Sequence, residues 1–188
     1  RGTYAAVIRF ISPDIPELDS LHLPNILKHL VMEKRGLILM VGATGAGKST
    51  TLASMLDHRN KNAAGHILTI EDPIEFVFTN RKSLVNQREV GTDTQALQSG
   101  LKNALRQAPD VILIGEIRDA DTATMALRAA LTGHQVFATL HANSAFGAIP
   151  RLVEIGLGPE LLAGNLTGIV SQRLVRRLCP ACRKASPA

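Results

Sequence analysis

The run Gly42-Ala43-Thr44-Gly45-Ala46-Gly47-Lys48-Ser49-Thr50 has the residue types and spacing of a phosphate-binding loop, G-x-x-x-x-G-K-S. Gly42 and Gly47 let the backbone bend close to an anion, and the amides of the loop and of the helix N-terminus that follows point at it. Lys48 reaches terminal phosphates, and Ser49 supplies a hydroxyl for magnesium. This is the chemistry of a nucleoside triphosphate site. Glu116, directly after Val111-Ile112-Leu113-Ile114-Gly115, is the candidate for polarising an attacking water; the plainer reading is an ion pair with Arg118. Glu71 and Asp72 follow His66-Ile67-Leu68-Thr69-Ile70 in the same way. His141 follows Gln135–Leu140 and is a candidate γ-phosphate contact; the plainer reading is a histidine bonded to backbone at a strand end.

These residues need a scaffold that brings them to one edge. Apolar runs at Leu37–Val41, His66–Ile70, Val111–Ile114 and Gln135–Leu140 read as buried strands. Helical spacing is expected at Leu23–Lys34, with Pro24 in a first turn, at Thr51–Leu56, at Asp93–Gln107 capped by Asp93 or Thr94, and at Asp121–Leu131. A helical stretch is also expected after Asn143, and another from Pro159 to about Ser171. Strands alternating with helices predict an α/β fold with a mostly parallel sheet and helices on both faces. Ligands of such sheets bind beyond the carboxyl ends of the strands, where the loop, Glu71, Glu116 and His141 all fall.

Two positions are excluded from the site on length. Asp110 begins the strand that Glu116 ends, about 17 Å away, and His134 lies about 20 Å from His141 across one extended strand. The magnesium-side aspartate common to phosphate-loop enzymes would stand where this chain has Gly115, so metal ligation rests on Ser49, waters and Glu71 or Asp72. His134, after Thr132-Gly133, is expected to cap the preceding helix.

Composition fits a single soluble domain: 188 residues, 45% hydrophobic and 20% charged. An aromatic content of 3% argues against nucleic-acid recognition through stacked bases, so no nucleic-acid partner is expected. The net charge is +5, and Arg173, Arg176, Arg177, Arg183 and Lys184 form a late basic cluster suited to an anionic partner or to a solvated face. No apolar run reaches the ~20 residues of a membrane span. The expectation is a cytoplasmic location. Arg1-Gly2 in place of an initiating Met is expected to mark an internal start, with residues 1–20 (strand Tyr4–Ile11, then a Pro-containing linker) closing a preceding domain. Residues 21–178 form the nucleotide-binding domain. Cys179 and Cys182 make one C-x-x-C, half of a possible metal site.

The chain resembles the secretion and type IV pilus motor ATPases, the GspE/PilT/PilB-like traffic ATPases. Besides the phosphate loop, the resemblance rests on Thr69-Ile70-Glu71-Asp72-Pro73-Ile74-Glu75-Phe76, Asn86–Gly91, Leu105–Asp119, Thr132-Gly133-His134 and Thr139-Leu140-His141-Ala142-Asn143. It implies a RecA-like P-loop NTPase domain that hydrolyses ATP with Mg2+ and a catalytic set of Lys48, Glu71, Glu116 and His141. It also implies a homohexamer, peripheral at the inner membrane, that moves pilin or pseudopilin subunits through a platform protein of the pilus or secretion machinery. Arginines of a smaller N-terminal domain complete the family's site, and Arg9 matches such an arginine or is simply an exposed strand residue. Val170–Cys182 looks like the start of the zinc-binding insertion of assembly and secretion members, giving Zn2+ in the full-length protein, with residues 179–188 its truncated beginning. Asn86–Gly91 is instead reminiscent of retraction motors, so the direction of work stays open. The alternative function is a nucleotide-dependent regulatory subunit of such a machine, without robust turnover.

Overall fold

The computed structural model describes residues 2–8 and 14–184. Six strands, β1 (Gly36–Val41), β2 (Gly65–Glu71), β3 (Ser83–Glu89), β4 (Val111–Ile114), β5 (Gln135–Leu140) and β6 (Leu166–Ser171), form one sheet in the order β3-β2-β4-β5-β1-β6. Every pairing is parallel. The helices are α1 (Ile26–Met32), α2 (Lys48–Asn62), α3 (Leu97–Ala104), α4 (Ala120–Leu131), α5 (Ala145–Glu154) and α6 (Pro159–Leu162).

The apolar runs become strands because both of their faces are covered. β1, β4 and β5 are buried at every position, as parallel strands between two helical layers must be. Alternation then sends successive side chains to opposite layers. Leu37, Leu39, Val41, Ile112, Ile114, Val136 and Ala138 pack against Leu101 of α3, Ala126 and Leu127 of α4 and Leu152 of α5. Ile38, Met40, Leu113 and Phe137 pack against Leu27 and Val31 of α1 and Leu52, Met55 and Leu56 of α2. The expected two-sided α/β sheet is thus present.

Several local expectations are corrected. The stretch from Pro159 to Ser171 is not one helix: α6 stops at Leu162, Gly164 turns the chain at φ +82°, and Leu166–Ser171 joins the sheet beside β1 as an edge strand. β3 is an additional edge strand that the apolar pattern does not announce. The helix expected from Asp93 begins at Leu97, because Asp93 accepts from the Glu89 backbone N–H at 2.9 Å and Ser99 reaches back to Ala96. It closes in a 3-10 turn, Leu105–Gln107. Pro24 lies just ahead of α1, accepting from the Leu27 amide at 3.1 Å. Of the strand expected at Tyr4–Ile11, residues 4–8 have no strand structure and are exposed; the rest, with Arg9, lies outside the described residues.

Candidate nucleotide site

The end of β1 runs straight into the loop Gly42–Gly47, and α2 begins at Lys48. Gly47 caps α2 in the left-handed region at φ +83°, where a side chain is strained. Gly42 is needed for a different reason: a Cβ there would lie 2.5 Å from the Gln172 carbonyl oxygen. Lys48 Nζ donates to the carbonyls of Gly42 and Ala43 at 2.8 and 3.0 Å, so its ammonium is held at the mouth of the loop. Thr44, Gly45, Ala46, Gly47, Lys48, Ser49 and Thr50 line a cleft of 780 Å³, and Glu71, Glu116 and His141 line the same cleft.

Each acidic group arrives on the end of its strand. Glu116 Oε2 accepts from Arg118 Nε at 2.6 Å, and Glu116 Oε1 lies 2.8 Å from His141 Nε2. The ion pair with Arg118 and the position in the cleft therefore coexist. Arg118 also faces Asp72 at 3.7 Å. β4 and β5 are stitched together at this edge: Thr139 Oγ1 donates to Gly115 O at 2.5 Å and the Ile117 amide to Thr139 O at 2.9 Å. The Glu116 carboxylate is consequently mounted on rigid backbone.

Glu71 sits deeper. Burial pushes its carboxyl above the ordinary range, while hydrogen bonds from Thr69 Oγ1 at 2.6 Å and Gln87 Nε2 at 3.3 Å pull the other way. Gly115 explains the missing aspartate: a Cβ there would be 3.3 Å from Glu71 Cα and 3.3 Å from Ile70 O, against the backbone of β2. Beside its parallel neighbour β2, β4 leaves only a tight fit for a side chain here, one that the β2 backbone would have to yield a few tenths of an ångström to admit.

The remaining expectations separate cleanly. His134 is structural, its Nδ1 lying 3.0 Å from Ala129 O at the carboxyl end of α4. Asp110 accepts from the His66 amide at 2.7 Å at the far edge of the sheet and plays no part in the cleft. Cys179 and Cys182 are exposed free thiols, and among the described residues no group of three or more His, Cys, Asp or Glu side chains could hold a metal ion. These two thiolates alone are half of the four-ligand shell of structural zinc. Sequence reasoning missed Gln87, whose side chain bridges Glu71, the Phe76 carbonyl and the Phe78 amide, and Gln172 beneath the loop. The quoted box around Asn86–Gly91 was the available signal for the first; nothing local flags the second.

The comparisons with known proteins agree with this geometry. The family described as Type II/IV secretion system protein matches residues 6–188. The "Type IV pilus ATPase PilU" of Pseudomonas aeruginosa is 50% identical over 181 residues, covering 93% of this chain and 47% of the relative. "Type II secretion system protein E" of Klebsiella pneumoniae is 46% identical, covering 97% of this chain and 37% of the relative. A crystal structure described as the pilus retraction motor PilT with bound ADP superposes with a TM-score of 0.85 at 51% identity, covering 89% of this chain and 50% of that one. The chain spans about half the length, or less, of the relatives it matches. With a matching family profile along nearly its whole length and a superposable ATPase fold, this chain belongs to the Type II/IV secretion system protein family.

Proposed function

We propose that this chain is the ATP-hydrolysing motor domain of a type IV pilus or type II secretion machine. The observation that carries it is the convergence of the phosphate loop, Glu116 and His141 on one cleft at the carboxyl edge of the sheet. Support for a nucleotide comes from the similar protein described with bound ADP, and support for motor work from the pilus and secretion names of the relatives.

In this reading Lys48 and the loop amides hold the phosphates, and Glu116 orients and deprotonates the attacking water. Arg118 and His141 fix the carboxylate's direction. The cleft's donor set of Ser49 hydroxyl and Glu71 and Asp72 carboxylates is all oxygen and fits a hard divalent cation. Ser49 with Asp72 or Glu71 would hold magnesium, which when bound neutralises charge developing on the phosphate oxygens. Arg9 would enter from the preceding domain. The protein would work as one subunit of a homohexamer at the cytoplasmic face of the inner membrane, against a platform protein. No described helix is long and apolar enough to cross a membrane.

The test uses the protein with its entire N-terminal domain. Glu116→Gln should bind ATP as wild type does and lose phosphate release by about 10²–10⁴-fold, the range of a lost general base. Unchanged turnover in that variant would remove Glu116 from the chemistry. Tight ATP binding and ring formation without turnover in the wild type would favour the regulatory-subunit reading.

A further inference from the structure

Gln172 stands one residue beyond β6, and three contacts tie it to the phosphate loop. Its amide donates to Val41 O at 2.9 Å, carrying the β1 and β6 pairing one residue past the sheet. Its carbonyl oxygen closes on Gly42, 2.5 Å from where a Cβ would be. Its carboxamide nitrogen occupies the space beside Gly47, 2.8 Å from the corresponding point there. One residue therefore abuts two of the loop's three glycines, Gly42 and Gly47.

The acceptor end of the carboxamide is unsatisfied. Gln172 Oε1 is buried and has no hydrogen-bond partner among the described residues. A buried acceptor without a partner is rare in folded proteins and calls for an explanation at its own position. The explanation lies in the neighbour, because the loop at Gly47 is a row of backbone N–H groups whose direction decides whether a phosphate is held. A half-turn of the last side-chain torsion exchanges Oε1 and Nε2, so the carboxamide can present either a donor or an acceptor to that backbone. The adjoining residues extend the contact: Arg173 Nη2 donates to Asn143 O at 3.0 Å, two residues past His141, and Leu174 lines the cleft.

We infer that Gln172 is a positioning residue of the phosphate loop, bracing Gly47 and accepting from a loop amide through Oε1 when the phosphates of a nucleoside di- or triphosphate are bound. This rests on the nucleotide reading of the cleft. Gln172 touches no phosphate itself; it acts by fixing the backbone that does. Residues 172–174 thus strap the loop to the chain that follows His141.

The experiment measures the affinity of the protein with its entire N-terminal domain for a fluorescent ADP analogue, together with the unfolding midpoint in the absence of nucleotide. Lys48→Ala serves as the control for the cleft. Gln172→Met keeps the length and bulk of the side chain and removes its polar end; Gln172→Ala removes both. Gln172→Met should weaken nucleotide binding about tenfold, the scale of one hydrogen bond that supports a charged ligand, with the nucleotide-free midpoint unchanged or raised. Gln172→Ala should bind at least as weakly. Wild-type affinity in Gln172→Met would overturn the inference, because bulk alone would then suffice. A wild-type chain that binds no analogue, indistinguishable from Lys48→Ala, would overturn the nucleotide reading itself and the inference with it.

Discussion

His141 Nε2 and Glu116 Oε1 meet at 2.8 Å, although their strands, β5 and β4, deliver them from separate crossovers. The imidazole is half exposed and the carboxylate mostly buried, so the histidine faces the cleft while steering the group behind it. His141→Ala should therefore lower turnover of the full-length protein by about 10²-fold, the lower range for a group that positions a general base. The unfolding midpoint should stay within experimental error, since an exposed ring adds little to the core. His141→Gln, which keeps a donor, should recover part of the rate. Phosphate-release assays beside thermal unfolding check both arms.

Gly115 is the second test. An aspartate here would restore the acidic residue usual in phosphate-loop enzymes, yet its Cβ would press on Glu71 Cα and Ile70 O. Gly115→Asp should destabilise the domain by about 1–3 kcal/mol, as overpacking does, and should lower activity. Urea denaturation measures the first and phosphate release the second. A stable and more active variant would show that β4 can move away from β2.

Glu71 sets a pH dependence. Its carboxyl is raised above the ordinary value of 4.5 by burial, so the folded state holds a proton more tightly than the unfolded chain. Its contribution is present in full below about 4.5 and is lost as pH rises through the higher folded value. Glu71→Gln keeps an acceptor for Thr69 and removes the titration. The stability of wild type minus that of Glu71→Gln should fall with rising pH above 4.5 and then level off. Urea unfolding at a series of pH values reads this difference directly.

Asp119 behaves oppositely. It caps α4 by accepting from the Thr122 amide at 2.8 Å, and that bond holds its carboxyl below the ordinary 3.8. Its contribution is present above 3.8 and is lost as pH falls through the lower folded value. Asp119→Ala should cost about 1 kcal/mol at neutral pH, the usual worth of an N-cap, and Asp119→Asn much less. Thermal unfolding of both variants at pH 7 and in acid checks the sign.

What the chain discloses in linear form follows from where burial is complete. β1, β4 and β5 are covered on both faces and so read as unbroken apolar runs, which places Glu116 and His141 correctly at their ends. β3, Ser83–Glu89, is a half-covered edge strand whose exposure alternates from Ser83 to Gln87, but its residue types, with Asn86, Gln87, Arg88 and Glu89 in a row, carry no apolar alternation. β6 failed for another reason: Leu161, Leu162, Leu166, Ile169 and Val170 mimic helical spacing across the turn at Gly164. Gln172 was invisible because its meaning lies in two glycines some 130 residues earlier in the chain, and only tertiary structure brings them together.

β5 separates the strand that carries the phosphate loop from the strand that carries Glu116. Two interstrand steps of about 4.8 Å set the ends of β1 and β4, and with them the Gly42–Gly47 loop and Glu116, roughly 10 Å apart. The middle strand is thus a gauge block. A protein engineer who alters the twist at Thr139 would change the spacing between the loop and Glu116 without touching either.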